Sequence, residues 1–401
     1  MRTWLYWLTI ATIFTLPWEG ALDVPGVGQV SRLVGLLAAA AWLVTVISSR
    51  RMREPHGIHL WGLLFVVWCG LSMVWTLDGP STETRVLTYV QLLVLMLVIW
   101  EALWTLDHVR QALIAYVVGC YVTVAALLGG YLLNGQAAEF HGRVTVGSFY
   151  PNDVGIILAL GVPIVGYFME APGEGPLRRP LFWGSLAYLP LSAFAILVTG
   201  SRAGLAAMLP GLVFAGYYFA RRHPGLAMGS AVAFGALALA ALPLVPSRVV
   251  ERLQGTGADV QGGTLNERTD IWSEGIRIFV HNPIFGVGSG AFRDADTAVN
   301  QVGHNFVLTL LAEVGVIGFG LYAGMLVSCL RSLRRQPGLL RGMWLAMFSA
   351  WLFAALLHNW EYRKQTWWMI AMIAVCGALE ERPPEELPRE PERQAIRWDA
   401  P

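Results

Sequence analysis

Apolar runs of roughly 20 residues recur along nearly the whole chain of 401 residues, and few folds can accommodate them. A run of that length matches the hydrocarbon thickness of a bilayer. Inside lipid there is no water to satisfy backbone N–H and C=O groups, so such a run must close its own hydrogen bonds as a helix. Twelve stretches qualify: about 3–18, 28–48, 58–76, 86–106, 109–133, 154–169, 181–199, 203–220, 226–245, 304–330, 340–357 and 363–380. The first is short and lacks a small-residue cleavage site, so it reads as a retained span rather than a signal peptide. Charged residues make up only 14% of the chain, against about a quarter in a soluble protein. The expected fold is an all-α polytopic membrane protein of about twelve transmembrane helices.

Charge placement sets the orientation. Lys and Arg collect on the cytoplasmic side of membrane proteins. The connections containing RRMRE (50–54), PLRRP (176–180), RRHPG (221–225) and RSLRRQPGLLR (331–341) all fall on one side of the count, which places both termini in the cytoplasm. Residues 1–380 then form one transmembrane domain, and the Pro- and Glu-rich stretch 381–401 reads as a disordered cytoplasmic tail. The opposite side carries NGQAAEFHGRVTVGSFYPND (134–153), TGSRAG (199–204), HNWEYRK (358–364) and a long connection, about 246–303, between spans nine and ten. Within that connection NERTDIWSEGIRIFVHN places Ile271, Gly275, Ile278 and Phe279 on one helical face, the pattern of an amphipathic helix lying on the membrane surface.

Several function classes drop out. A formal net charge of +1 offers no basic surface for nucleic acid. The four cysteines are scattered through apolar runs, without metal-ligand or disulfide spacing. GVGSGAF (286–292) resembles a nucleotide-binding glycine loop but follows an interfacial helix rather than a strand. The two aspartates of RDAD (293–296) form a triplet common by chance, so no metal is expected there.

Two sets of polar residues remain on the side opposite the basic connections. In GHNFVLTLLAEVGVIGFG (303–320), His304 stands where the tenth span enters the membrane. On a continuous helix Gly315 falls about 20° from the face of His304 and Gly318 about 40° to its other side, roughly 16 Å and 21 Å deeper. The glycines suit close approach of a neighbouring backbone, and an imidazole, with an ordinary pKa near 6.5, suits a general base. Glu313 lies on the opposite face and reads as a buried structural contact. Alone, the histidine is more readily an interfacial group bonded to a loop. The second set is Arg85, Arg143, Arg202, Arg268 and Arg293, all on the side where short loops usually lack them. Ser201 can cap the helix that Arg202 opens, giving a helix N-terminus suited to phosphate. Tyr150 and Asp153 stand close to Arg143 in sequence and can orient a hydroxyl or an arginine. Guanidinium groups bind phosphate through paired hydrogen bonds. A single arginine of this kind is as readily a headgroup contact, but several beside one histidine point to a polyanionic lipid head such as a diphosphate.

The string H-N-x9-G-x-x-G, here His304, Asn305, Gly315 and Gly318, resembles the signature of bacterial O-antigen ligases. GSRAG (200–204) and TLNERTDIWSEGIRIFVHNPIFGVGSGAF (264–292) are similar to the wider group of O-antigen ligases, O-antigen polymerases and protein O-oligosaccharyltransferases, with the likeness strongest over roughly 140–320. The resemblance implies a GT-C-type glycosyltransferase of the bacterial inner membrane, with its site facing the periplasm. It implies transfer of a glycan from undecaprenyl diphosphate to a sugar hydroxyl of lipid A–core, with inversion and with no cofactor, nucleotide or metal. The implied partners are the undecaprenyl-diphosphate-linked O-antigen, lipid A–core and membrane lipid. By carry-over His304 is the base, Arg202 the arginine of the GSRAG element and Arg268 the arginine opening the long-loop helix; Arg143 and Arg85 join the diphosphate site by side of membrane alone. An O-antigen polymerase with the same donor is the nearest alternative, followed by a protein O-oligosaccharyltransferase or a lipid-linked glycan transporter.

Overall fold

The computed structural model describes residues 2–24, 28–132, 138–140, 142–171, 173–245, 247–254, 268–295, 303–380 and 395–397. The helices are α1 (Arg2–Thr15), α2 (Val30–Ser49), α3 (Gly57–Leu71), α4 (Gly79–Ala102), α5 (Leu106–Leu132), α6 (Pro151–Glu170) and α7 (Arg178–Val198). They continue with α8 (Arg202–Arg222), α9 (Pro224–Ala241), α10 (Ser247–Gln254), α11 (Arg268–His281), α12 (Phe306–Leu333), α13 (Gly338–Ala355) and α14 (Lys364–Glu380). Each of the twelve apolar stretches contains a helix, and the chain is an all-α polytopic membrane protein. Among the described residues ten helices are long and apolar enough to cross a bilayer, while α1 and α14 are shorter at 14 and 17 residues. Helix α4 starts earlier than its apolar run because Asp78 caps it, accepting from the Ser81 N–H at 3.2 Å, with Pro80 in the first turn where its missing N–H costs nothing. Three short antiparallel pairs complete the description: Asp23–Val24 with Gly28–Gln29, Arg51–Arg53 with Ala395–Arg397, and Ala138–Phe140 with Arg143–Thr145. Apart from Ala395–Arg397, the tail expected to be disordered lies outside the described residues.

Helices α6 and α14 form the centre of the bundle, with almost every side chain buried. The α6–α8 contact is close because small residues face each other: a Cβ on Gly155 would lie 2.8 Å from the Ser201 side chain, and one on Gly204 2.7 Å from the Gly155 Cα. Long-range hydrogen bonds gather the connections at two ends. At one end Ser148 N–H donates to the Gly20 carbonyl, Arg143 reaches Thr199, and Asn305 reaches Asn359. At the other end Arg53 donates to the Trp100 and Leu103 carbonyls, and Arg110 to that of Ala171. The first of these is called the site face below.

The tenth apolar stretch departs from expectation. His304 precedes the helix, which begins at Phe306, and Gly315 interrupts it with φ 66° and ψ −171°. The face shared by His304, Gly315 and Gly318 on a continuous helix therefore does not exist, since 100° per residue applies only to unbroken helix. The break has a use. It frees the carbonyls of Ala312, Glu313 and Val314, which accept from Val287 N–H (3.0 Å), Gly288 N–H (2.9 Å) and the Trp68 indole (2.9 Å). Val316 N–H donates in turn to the Pro283 carbonyl at 2.9 Å. GVGSGAF is thus a strap docked on a broken helix. Non-helical backbone at membrane depth is tolerated when protein supplies its partners.

Helix α11 occupies 268–281 as expected, but its apolar face is turned toward protein. Ile271 and Ile278 pack in one cluster with Val287, Phe292 and Ala312, and Gly275 lies against Phe292. The apolar side chains left open on this segment are Ile276, Val280, Ile284 and Phe285. Residues 255–267 and 296–302 of the long connection lie outside the described residues.

The Gly315 conformation is open to essentially glycine alone, and a Cβ there would meet the Ile284 carbonyl oxygen at 2.1 Å. Gly315→Ala should lower the stability of the purified protein by about 2 kcal/mol or more. Gly320→Ala, where a Cβ meets open space, should leave the melting midpoint in detergent unchanged or slightly raised.

Candidate active site

His304 lies in the two-residue turn before α12, with its backbone in the left-handed region at φ 46°. For a residue with a Cβ this costs about 1–2 kcal/mol, so the surroundings must hold it. Asn305 caps the helix, its side-chain oxygen accepting from Val307 N–H (3.0 Å) and Leu308 N–H (3.2 Å). The Asn359 side-chain oxygen accepts from both Asn305 N–H and the Thr309 hydroxyl, each at 3.2 Å. The connection between α13 and α14 thereby clamps the histidine turn. Beside it the rings of His304 and His358 stand edge to face, centroids 5.9 Å apart.

Both imidazoles open into a cavity of about 510 Å³ on the site face. Its cations are Arg143, Arg293 and Arg363. Arg143 is held by its Nε donating to the Thr199 carbonyl (3.1 Å) and Nη2 to the Asn152 side chain (2.9 Å), which ties the 143–145 strand to the start of α6 and the α7–α8 turn. Arg363 donates to Asp153 at 2.6 Å, and the Trp360 indole reaches the other oxygen of that carboxylate at 3.2 Å. Asp153 therefore orients Arg363 rather than Arg143. Tyr150 is half exposed at the rim, edge-on to Phe140 with centroids 4.7 Å apart.

The structure brings together His304, Arg143, Arg293, Tyr150 and Asp153 among the residues singled out from the sequence. Ser201 caps α8, accepting from Gly204 N–H at 3.0 Å, and Arg202 opens that helix beside the Thr199 carbonyl bound by Arg143; neither lines the cavity itself. Arg268 opens α11, and its side chain lies outside the described residues. Gly315 and Gly318 are packing positions, the first against the strap backbone and the second against Trp68.

Arg85 is not brought into the cavity. It sits behind the wall, its Nη1 3.3 Å from Glu361 and 4.0 Å from Glu313, with its guanidinium 3.9 Å above the Tyr362 ring. Glu313 also accepts from Gly290 N–H at 2.8 Å, so the expected buried contact is there and joins α4, α12 and the strap. The sequence reading did not single out His358, Asn359 or Arg363, and it counted Arg293 among the arginines of this side without assigning it to the diphosphate site. The signal available was HNWEYRK itself, a short connection on the histidine side that packs imidazole, amide, aromatic and cationic groups together.

The O-antigen ligase family model matches residues 187–323, about a third of the chain, running from within α7 into α12. The matched stretch contains Arg202, Arg268, Arg293, His304, Gly315 and Gly318, while Arg143, His358 and Arg363 lie outside it. No curated protein matches the chain.

Glu361 makes the buried wall pH-sensitive. Burial pushes its carboxyl up to about 7, against the opposing pull of Arg85. In the unfolded chain a glutamate titrates near about 4.3. Between these values the folded protein holds a proton that the unfolded chain has released, so stability falls as pH rises through the window and levels off above it. Melting midpoints in detergent from pH 4.5 to 8 should show that decline in the native chain and a flatter profile in Glu361→Gln. Over residues 187–323 the chain is similar to the O-antigen ligase family.

Proposed function

We propose that the protein is an O-antigen ligase that transfers a glycan from undecaprenyl diphosphate to a sugar hydroxyl of lipid A–core on the periplasmic face of the bacterial inner membrane. The observation that carries the reading is one cavity into which an imidazole on the family segment and three guanidinium groups converge. A sugar diphosphate needs that combination: a base for the incoming hydroxyl and permanent positive charge for the departing phosphate.

In the proposed reaction His304 takes the proton of the acceptor hydroxyl as its oxygen attacks the anomeric carbon. The bond from that carbon to the diphosphate oxygen breaks on the opposite face, so the configuration inverts. Arg143, Arg293 and Arg363 neutralise the charge on the departing undecaprenyl diphosphate. Arg202 stands at the positive end of α8, whose first turn Ser201 organises, and Arg268, the first residue of α11, is assigned to the same diphosphate. Tyr150 borders the sugar, and Asp153 keeps Arg363 in place. Asn305 and Asn359 hold the His304 turn. Arg85 acts at one remove, by anchoring the segment that carries His358 and Arg363. The residues invoked supply base and charge without a nucleotide or metal.

The test uses purified protein, lipid-linked glycan and lipopolysaccharide lacking O-antigen, with and without chelator. Native protein should form product under both conditions. His304→Ala should lose at least about 100-fold in rate, and Arg143→Ala about 100–1,000-fold, each with the native melting midpoint. Full activity in His304→Ala removes the base assignment. Product built on a second lipid-linked glycan, with none on lipid A–core, would make the enzyme a polymerase.

A further inference from the structure

A cavity of about 640 Å³ lies between α7, α8 and α9, toward the end of the bundle away from the site face. Its lining carries no charge and a single hydroxyl, that of Ser230. Small residues usually let membrane helices touch. They do so between α6 and α8, where a Cβ on Gly166 would lie 2.8 Å from the Ala215 side chain. On the other flank of α8 they leave a gap instead. Ala220, Ala227 and Ala231 line open space, and a Cβ on Gly216 would meet no atom within 4 Å. None of the described residues of α9 is buried, and the lining residues Trp183, Phe234 and Leu237 are exposed, so the cavity opens sideways toward lipid. From Ala227 to Leu237 the α9 wall runs about 15 Å along its axis, and half of a bilayer's hydrocarbon core is also about 15 Å.

We propose that this cavity holds an acyl chain of an anionic phospholipid from the leaflet opposite the site face, with its phosphate beside Arg179. The inference goes beyond the ligase reading and does not depend on it. Charge at the mouth selects this occupant over a zwitterionic lipid. Arg178 and Arg179 open α7 and are exposed. Arg179 stands one turn before Trp183, on the helix face that carries the lining residues Trp183, Leu186 and Pro190. The ring of Phe182 meets those of Phe219 and His223, with centroids 6.2 Å and 6.3 Å away, which brings the start of α7 to the α8–α9 turn. In that turn Arg221 donates to the Tyr217 hydroxyl at 2.6 Å, and Arg222 donates to the Glu170 carbonyl and faces its carboxylate at 3.9 Å. Residues 170–180 and 221–223 carry four arginines against two glutamates, so positive charge remains after Glu170 is matched. Helices α7 and α9 both begin here, and their N-terminal ends add to the attraction for an anion. A lipid phosphate placed at this mouth continues into the apolar gap as its own acyl chain.

The experiment places the full-length protein in nanodiscs of phosphatidylglycerol and phosphatidylcholine in equal amounts. One lipid or the other carries a diazirine on an acyl chain, and adducts are mapped after irradiation. Phosphatidylglycerol adducts should concentrate on the lining turns of α7, α8 and α9 and exceed those of phosphatidylcholine severalfold. Arg179→Gln should lower that preference about fivefold, the worth of one basic residue at an anionic lipid surface. Ala187→Trp and Ala231→Trp, which fill the cavity from α7 and from α9, should each reduce the yield from both lipids at these turns. The same substitution at Val213, exposed on α8 outside the lining, serves as the control and should leave the yield unchanged. Equal labelling of the native protein by the two lipids would overturn the proposal. So would an unchanged yield in both filled variants, each monodisperse in detergent. Cross-links from these turns to a second copy of the chain, without lipid adducts, would make the cavity a subunit interface instead.

Discussion

The rest of the site face depends on the interruption of α12 at Gly315. A membrane helix normally consumes its own backbone hydrogen bonds and offers none to a neighbour. Here one residue with positive φ releases three consecutive carbonyls, of which the strap 286–290 takes two and Trp68 the third. The long connection is thereby fixed to the bundle at the point where it would otherwise be least constrained. Arg293, directly after the strap, lines the cavity. His304 stands two residues before the half-helix that ends at the break.

Buried charge does the rest of the fastening. Arg85 holds two acids, Glu313 beneath the strap and Glu361 on the connection between α13 and α14. Taking charge out of water is costly, and breaking such a group by removing one partner typically costs about 3–5 kcal/mol. The arrangement joins two connections distant in sequence, so the segment with His358, Asn359 and Arg363 is positioned from behind while its front lines the cavity. The Asp153–Arg363 and Glu19–Lys364 pairs repeat the device, tying the start of α14 to α6 and to the turn that follows α1. Arg363 and Lys364 are thus each oriented by a carboxylate.

Much of the fold was legible because bilayer thickness acts on each helix separately. Helix α11 was legible by its periodicity, and its ends match; what covers its apolar face was not, because Ile271 and Ile278 read the same whether they meet lipid or Phe292. His304 stood out through its spacing to Gly315 and Gly318, yet the spacing was interpreted on an unbroken helix. Nothing in a string of residues distinguishes a glycine that lets a neighbour approach from one that breaks the backbone. Arg85 and Arg143 were indistinguishable as arginines on one side of the membrane; only their partners, two buried glutamates for one and Asn152 with the Thr199 carbonyl for the other, separate a wall from a lining.

Sequence alone determined that this chain is a stack of membrane helices with its basic connections on one side and a histidine and several arginines on the other. Those properties follow from local hydropathy and charge, which each segment carries wherever its neighbours lie. Tertiary structure decided which polar residues meet: His304 with His358, Arg143 with Asn152, Arg363 with Asp153. These residues come from segments up to more than 200 positions apart, and their meeting depends on how the helices pack and where α12 breaks. The physical reason is that solvation acts residue by residue, whereas a hydrogen bond or ion pair exists only between groups that the whole fold has brought within about 3 Å.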